Sequence, residues 1–368
     1  MAVRYSYLPQ QFKDCPDLWD ELKDFVATGD FTLGKPLDQF EKNFAKLLDV
    51  NYAVGVGSGT DAIKISLRAL GIKPGDEVIT AANTFVATVG AIAEIGAIPV
   101  FVDVNKMFCM DTTKIEAAIT KKTRAIVPVH FTGYMTKMDQ VMELAKAYKL
   151  KVVEDACQSI LATYLDKKAG SWGDAGAFSL HPLKNINVWS DGGVVVTNNK
   201  ELYDDLRLLR NHGLSDRDHV ELLGFNSRLD TFQAVVGNWL LPQAFKISEK
   251  RISNAKYLDS KLRDIPEIEI PERPDNLRIV YHLYSVFADD RDSLLKFCVS
   301  NNISAKVHYP IPIYKQKALQ EISGNLNFPI TDKLASSSIS FPCDQHLEKS
   351  QLDEIVDVVA KFYRNKRT

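Results

Sequence analysis

The sequence predicts an α/β fold, with a mostly parallel central sheet flanked by helices and a smaller α+β unit at the C-terminus. Three observations lead there. Between residues 50 and about 200, short β-rich runs alternate with helical patterns. The runs are separated by helix-forming segments rather than hairpin turns, and crossovers of that length join parallel strands. After residue 200 the alternation stops and proline-marked, mixed segments follow. The expected division is a large unit over residues 1–250, including the N-terminal segment, and a smaller one over 251–368.

Taken in order, strands are expected at EVITA (77–81), IPVFVDV (98–104), RAIVPVH (124–130), KVVED (151–155), GAFSL (176–180) and GGVVVT (192–197). Helices are expected between them, as in TDAIKISLRAL (60–70), where Ile63, Leu67 and Leu70 share a face, and in KMDQVMELAKAYKL (137–150). ELYDDLRLLRNHG reads as a helix stopped at Gly213, and residues 229–263 as a long helical stretch interrupted near Pro242. The C-terminal unit offers a strand at HLYSVFA (282–288), a helix at RDSLLKFCVS (291–300) and a last helix over 349–365.

Composition excludes several classes. The formal charge is −2, from 45 Lys and Arg against 47 Asp and Glu, so no basic face for a nucleic acid is indicated. The five cysteines are odd in number and form no CxxC, which argues against a disulfide framework and for a reducing compartment. No Cys/His cluster has zinc spacing, so no metal is expected. Neither an apolar leader nor a membrane-length apolar run occurs, and a cytoplasmic location is the expectation.

Three stretches carry chemistry. GSGTDA (57–62) opens a helix, whose free N-terminal amides suit a phosphate, with Ser58 and Thr60 able to add hydroxyl donors. The same residues also serve simply to cap a helix. VVEDACQS (152–159) ends a strand at Asp155, and the carboxyl ends of strands are where open α/β sheets place ligands. A carboxylate there can pair with a protonated ring nitrogen or merely cap the next helix. In FSLHPLKNINVWSDGGVVVT (178–197), Lys184 sits between two apolar strands, where Pro182 and Asn185 suggest a defined turn. Gly192 and Gly193 allow close backbone approach. A lysine amine with a depressed pKa can form an imine with an aldehyde.

Together these stretches resemble the DegT/DnrJ/EryC1/StrS family of sugar aminotransferases, which are fold-type I pyridoxal-phosphate (PLP) enzymes. The resemblance extends to GDEVITAANTFVATVGAI, GDAGAFSLHPLKN, SDGGVVVTNN, LRNHGL, GFNSRLDTFQA and KVHYPIP, over residues 30–345. It implies Lys184 as the Schiff-base lysine and proton shuttle, and Asp155 as partner of the pyridinium nitrogen. It implies Gln158 on the phenolic oxygen, Phe85 stacked on the ring, and Gly59, Thr60 and Ser179 around the phosphate. Asn226 resembles the asparagine that reaches the phosphate of the neighbouring subunit, which implies a homodimer with shared sites. Arg228 reads as a structural ion-pair partner or an anion contact. His181, His308 and Tyr309 are implied at the substrate mouth. The implied reaction moves an amino group from glutamate or glutamine to a nucleotide-linked 3- or 4-keto-6-deoxyhexose, through pyridoxamine 5′-phosphate. HPLKN is similar to enzymes aminating carbon 4, GFNSRLDTFQA to those aminating carbon 3. Tyr314 and Trp189 depart from the family pattern and would reshape the substrate pocket.

Other readings share the scaffold: a PLP-dependent sugar dehydratase, an aminotransferase for a keto-cyclitol or small phosphorylated ketone, and a non-catalytic regulatory protein. Lys184 weighs against the first, since that branch replaces this lysine with histidine. Lys184, Asp155 and Gln158 together weigh against the last. No GxGxxG follows an early strand, so dinucleotide chemistry has no support.

Overall fold

Seven strands form the central sheet of the computed structural model, which describes residues 2–324 and 326–367. They are β1 (Tyr52–Val56), β2 (Glu77–Ala81), β3 (Ile98–Val102), β4 (Thr123–Val127), β5 (Lys151–Asp155), β6 (Ala175–Ser179) and β7 (Gly193–Thr197). Their spatial order is β1-β7-β6-β5-β4-β2-β3. Strands β2 to β6 pair in parallel with β5 beside β6 and β2 between β3 and β4. Only β7 runs against its neighbours, β6 and β1. The mostly parallel sheet expected from the sequence is therefore present, and all six expected strands lie in it. Pro99 falls in β3, an outer strand, where a missing N–H is tolerated.

Alternation along each strand explains why both faces are covered. Val194 and Val196 enter one hydrophobic cluster and Val195 the other. Ile126 and Val152 join the first, whereas Ala125, Val127 and Val153 join the second. A period of two sends successive side chains to opposite faces, so a continuous apolar run requires helices on both sides. On one side Ile63, Ile65 and Leu67 of α3 (Gly59–Ala69) and Leu206 of α6 (Lys200–Leu209) fill the gap. On the other, Phe40 and Phe44 of α2 (Lys35–Leu48) and Val141 and Ala145 of α5 (Met138–Tyr148) do so. The remaining helices of this region are α1 (Pro16–Thr28) and α4 (Val86–Glu94). Helix α6 ends at Leu209, earlier than expected, and Gly213 (φ +78°) turns the chain beyond it.

The interrupted helix near Pro242 is seen as α7 (Thr231–Leu240), a 3₁₀ turn at Leu241–Gln243, and α8 (Ala244–Leu262). Proline removes one backbone donor and clashes with the preceding turn, which breaks the helix there. A three-stranded antiparallel sheet follows: β8 (Ile268–Glu269), β9 (Tyr284–Ala288) and β10 (Ser338–Phe341). Two helices, α9 (Arg291–Ser300) and α10 (Lys349–Arg367), pack with it. The N-terminal segment returns here. Val3 bridges Ile303 in parallel, with Val3 N–H donating to Asn302 O at 2.9 Å and Ser304 N–H to Val3 O at 3.0 Å. No helix among the described residues is long and apolar enough to cross a membrane.

Candidate active site

A cavity of about 360 Å³ opens beyond the carboxyl ends of β5 and β6. Its volume lies in the range of ordinary small-molecule sites, and its place is the one that parallel sheets give to ligands. Lys184, Asp155, Gln158, Gly59, Thr60, Phe85, Ser179, His181, His308 and Tyr309 all line it. Asn226 does not; it is exposed and bridged to Asn211 outside the cavity. Arg228 also lies outside, donating to Asn211 Oδ1 at 3.1 Å.

The start of α3 forms one end. Ser58 is the N-cap, and its Oγ accepts from Asp61 N–H at 3.0 Å. Capping uses an acceptor lone pair of Ser58 and leaves its O–H free to donate. The preceding amides, those of Gly59 and Thr60, have no partner among the described residues. A Cβ on Gly59 would fall 2.7 Å from Ser179 Cβ and 2.9 Å from Cys157 Sγ. Only glycine lets the helix end pack against β6 and bring those amides beside Ser179. Gly193 matters in the same way, since a Cβ there would lie 2.2 Å from Ser58 O.

Asp155 ends β5 and is buried. Thr88 Oγ1 donates to its Oδ2 at 2.7 Å, and Cys157 N–H to its Oδ1 at 3.2 Å. Thr88 spends its proton there, so Thr84 is the donor in the 2.7 Å contact between the two threonines. One residue earlier, the buried Glu154 accepts from the amides of Gly170 (2.9 Å), Trp172 (2.6 Å) and Gly173 (2.9 Å). It also meets His130 Nε2 at 2.9 Å, while Thr136 N–H donates to His130 Nδ1 at 3.3 Å, placing the ring proton on Nε2. Glu154 therefore clamps the strand that carries Asp155. Glu154→Ala strands the buried donors of Gly170 and His130 at roughly 1–3 kcal/mol each, with those of Trp172 and Gly173 part-buried, and a loss of at least about 2 kcal/mol of unfolding free energy is expected. A denaturant midpoint unchanged in that variant would contradict the clamp.

Gln158 is oriented by its surroundings. Thr132 N–H donates to Oε1 at 2.7 Å, which leaves the Nε2 donor for the cavity. Lys184 sits in the turn between β6 and β7, its N–H donating to His181 O at 2.8 Å. Asn185 ties the turn down, with Nδ2 donating to Val280 O at 3.2 Å. Burial pushes the Lys184 ammonium below the ordinary lysine value, and Cys157 and Asp155 oppose the shift in part. Phe85 precedes α4 with its ring half exposed and 5.8 Å from that of Tyr309. His308 Nδ1 contacts Ser340 Oγ at 2.9 Å, and burial lowers its pKa to about 4.

The structure adds Tyr5, Thr88, His282 and Lys306 to this wall, none of them predicted. Thr88 lies inside a quoted motif, and only the fold shows that it faces Asp155. Two buried atoms there, Tyr5 O–H and His282 Nδ1, have no hydrogen-bond partner among the described residues. No metal-binding cluster occurs among the described residues.

An amine, a carboxylate, an amide donor and a helix N-terminus converge on one cavity, and comparison with known proteins decides what that set is. The DegT/DnrJ/EryC1/StrS aminotransferase family matches residues 16–360. The chain belongs to that family. A pleiotropic regulatory protein of Geobacillus stearothermophilus is 36% identical over 374 residues, covering 99% of this chain and all of the relative. The UDP-N-acetyl-3-dehydro-α-D-glucosamine 3-aminotransferase of Acidithiobacillus ferrooxidans is 37% identical over 349 residues, covering 92% of this chain and 94% of the relative. Among solved structures, DesV of S. venezuelae, in complex with a ketimine intermediate, has a TM-score of 0.95 at 34% identity and covers 98% of both chains.

The DegT-family chain is thus a PLP-dependent aminotransferase of the transferase class, with pyridoxamine 5′-phosphate as the aminated form of its cofactor. The residues fit that cofactor. The free α3 amides and Ser179 suit its phosphate, Asp155 its ring nitrogen, Gln158 its phenolic oxygen, and the Lys184 amine its aldehyde.

Proposed function

We propose that this chain transfers an amino group from glutamate to a nucleotide-linked 3-keto sugar. The observation that carries the reading is that the Lys184 amine and the Asp155 carboxylate open into one cavity, with its phosphate-sized end at Gly59 and Thr60. The Acidithiobacillus relative named for a 3-dehydro sugar supports carbon 3, as does the motif around Asn226. Bound PLP supplies a carbonyl that takes up the amino group and a ring that stores the electron pair released at the substrate carbon.

The chain's residues do the rest. Asp155, kept in place by Thr88, would hold a proton on the ring nitrogen. Gln158 Nε2 would donate to the phenolic oxygen. Phe85 would pack on the ring, and the α3 amides would hold the phosphate dianion. Lys184 Nζ removes the proton from the donor carbon that bears nitrogen, and the donor leaves as a 2-oxo acid. In the second half the same Nζ would deliver a proton to the sugar carbon being aminated, returning the proton taken from the aminated cofactor carbon. Its burial-lowered pKa keeps a larger share of the amine unprotonated near neutral pH than an exposed lysine would have.

A second copy of the chain completes the site in this reading. Asn226 lies outside its own cavity, and the large apolar residues Phe85 and Leu183, which line it, are exposed. An exposed apolar rim of this kind suits a protein partner, and twofold symmetry would make the exchange of Asn226 reciprocal. A regulatory role, suggested by the name of the Geobacillus relative, is less well supported, because Lys184, Asp155 and Gln158 are all retained and assembled.

The test is a visible spectrum of the protein loaded with PLP, before and after glutamate. A long-wavelength band that gives way to a near-ultraviolet one is expected. No cofactor band at all would sink the reading in favour of the regulatory one.

A further inference from the structure

An amino-acid donor brings carboxylates into a largely enclosed site, and burying them without a cation is strongly unfavourable. The described lining residues of this chain include three Lys or Arg side chains, and two are committed. Lys184 is the reacting amine. Arg251 spends its guanidinium on the protein: Nε donates to Gln345 Oε1 at 3.0 Å, Nη1 to Tyr281 O at 3.0 Å, and Nη2 lies 3.6 Å from Asp344 Oδ2. The histidines give little help. Burial holds His282 well below its ordinary value, and His308 is lowered to about 4. His181 Nδ1 accepts from Leu183 N–H at 3.2 Å.

Lys306 is left. It lines the cavity from the exposed side, and no carboxylate among the described residues lies within ion-pair reach of it. Its backbone is fixed, because it exchanges hydrogen bonds with Ser340 in both directions (2.9 and 2.8 Å). Its ammonium is held 4.8 Å from the centre of the Tyr5 ring, a cation–π contact that orients the amine without neutralising it. Tyr5 is itself brought in by the bridge between Val3 and Ile303. Its hydroxyl lies beside Ser340, whose Oγ already meets Ser285 and His308, and finds no partner of full hydrogen-bond geometry among the described residues. A buried donor without an acceptor points to an acceptor that a ligand brings.

We propose that Lys306, set over the ring of Tyr5, anchors a carboxylate of the amino-acid donor. This rests on the aminotransferase reading given above. The anchor is a binding residue for the donor and has no part in proton transfer.

The experiment uses the PLP-loaded protein and its Lys306→Gln and Lys306→Arg variants. Two quantities are read: half-saturation of the band change by L-glutamate, and calorimetric binding of glutarate, a dicarboxylate that cannot react. For Lys306→Gln both constants are expected to weaken by about tenfold or more, the size of one hydrogen bond to a charged group. Lys306→Arg keeps most of the affinity. Added salt should weaken glutarate binding in the parent protein and much less in Lys306→Gln. The KM of the keto-sugar should not change. Unchanged glutarate affinity in Lys306→Gln, or an effect confined to the sugar, overturns the proposal, as does failure of the parent protein to bind glutarate. Failure of the aminotransferase reading looks different: the parent protein then shows no band change with glutamate, whatever glutarate does.

Discussion

Lys184→Ala is expected to abolish amino-group transfer while leaving the protein folded. The residue lies in a turn fixed by its own backbone and by Asn185, so removing the side chain leaves the sheet and its crossovers intact. Loss of acid–base function alone accounts for about 10²–10⁴ in rate. Loss of the covalent link to the cofactor adds to this. Cofactor held by the phosphate end, Asp155 and Gln158 should survive as a non-covalent complex. Turnover measured with glutamate and a nucleotide-linked 3-keto sugar checks it, and full activity would end the assignment of Lys184. The variant also tests the shared site. Mixed one to one with Asn226→Ala subunits, half the dimers are hybrids, and one of their two sites has both residues, so about a quarter of parent activity should return. No recovery at limiting PLP would mean that each subunit works alone.

Asp155→Asn should be nearly as severe, for an electrostatic reason. The two side chains share a shape: Cys157 N–H keeps the remaining oxygen, and Thr88 Oγ1 can turn to accept from the new amide N–H. What disappears is the negative charge that would keep a proton on the ring nitrogen, and with it the ring's capacity to accept electrons. Removing one preorganised electrostatic partner of this kind lowers rates by about 10²–10³. The band change in a single turnover with glutamate measures it directly. A normal rate at normal cofactor content would show that the ring does not depend on this carboxylate.

The strongest local signals were those legible in the sequence. Six strands of the sheet announced themselves as apolar runs, because a strand buried on both faces reads that way wherever it occurs. β1 escaped notice. Its YAVGV carries a glycine and an alanine, both poor strand formers, and its state is set by pairing with β7 from far along the chain. The long helix was read correctly as interrupted near Pro242, because proline acts locally. Residues grouped by motif, such as Asp155, Gln158 and Lys184, were found by resemblance, and the fold gathers them around one cavity. Tyr5 was invisible, and Lys306, although it opens KVHYPIP, was not singled out, for a physical reason. Their proximity depends on a bridge between Val3 and Ile303, two short segments whose residues give no sign of each other. Thr88 was hidden differently, since a threonine inside a helix reads as filler until the neighbouring strand supplies Asp155.

The absent side chain of Gly193 acts as a ruler. Strand β7 carries the far end of the turn that holds Lys184, and its first residue presses against Ser58, the cap of α3. The gap between Lys184 and the free amides of α3 is thus set where two main chains touch. One added carbon would push them apart, and the site would then be gauged for a longer molecule than the one it holds.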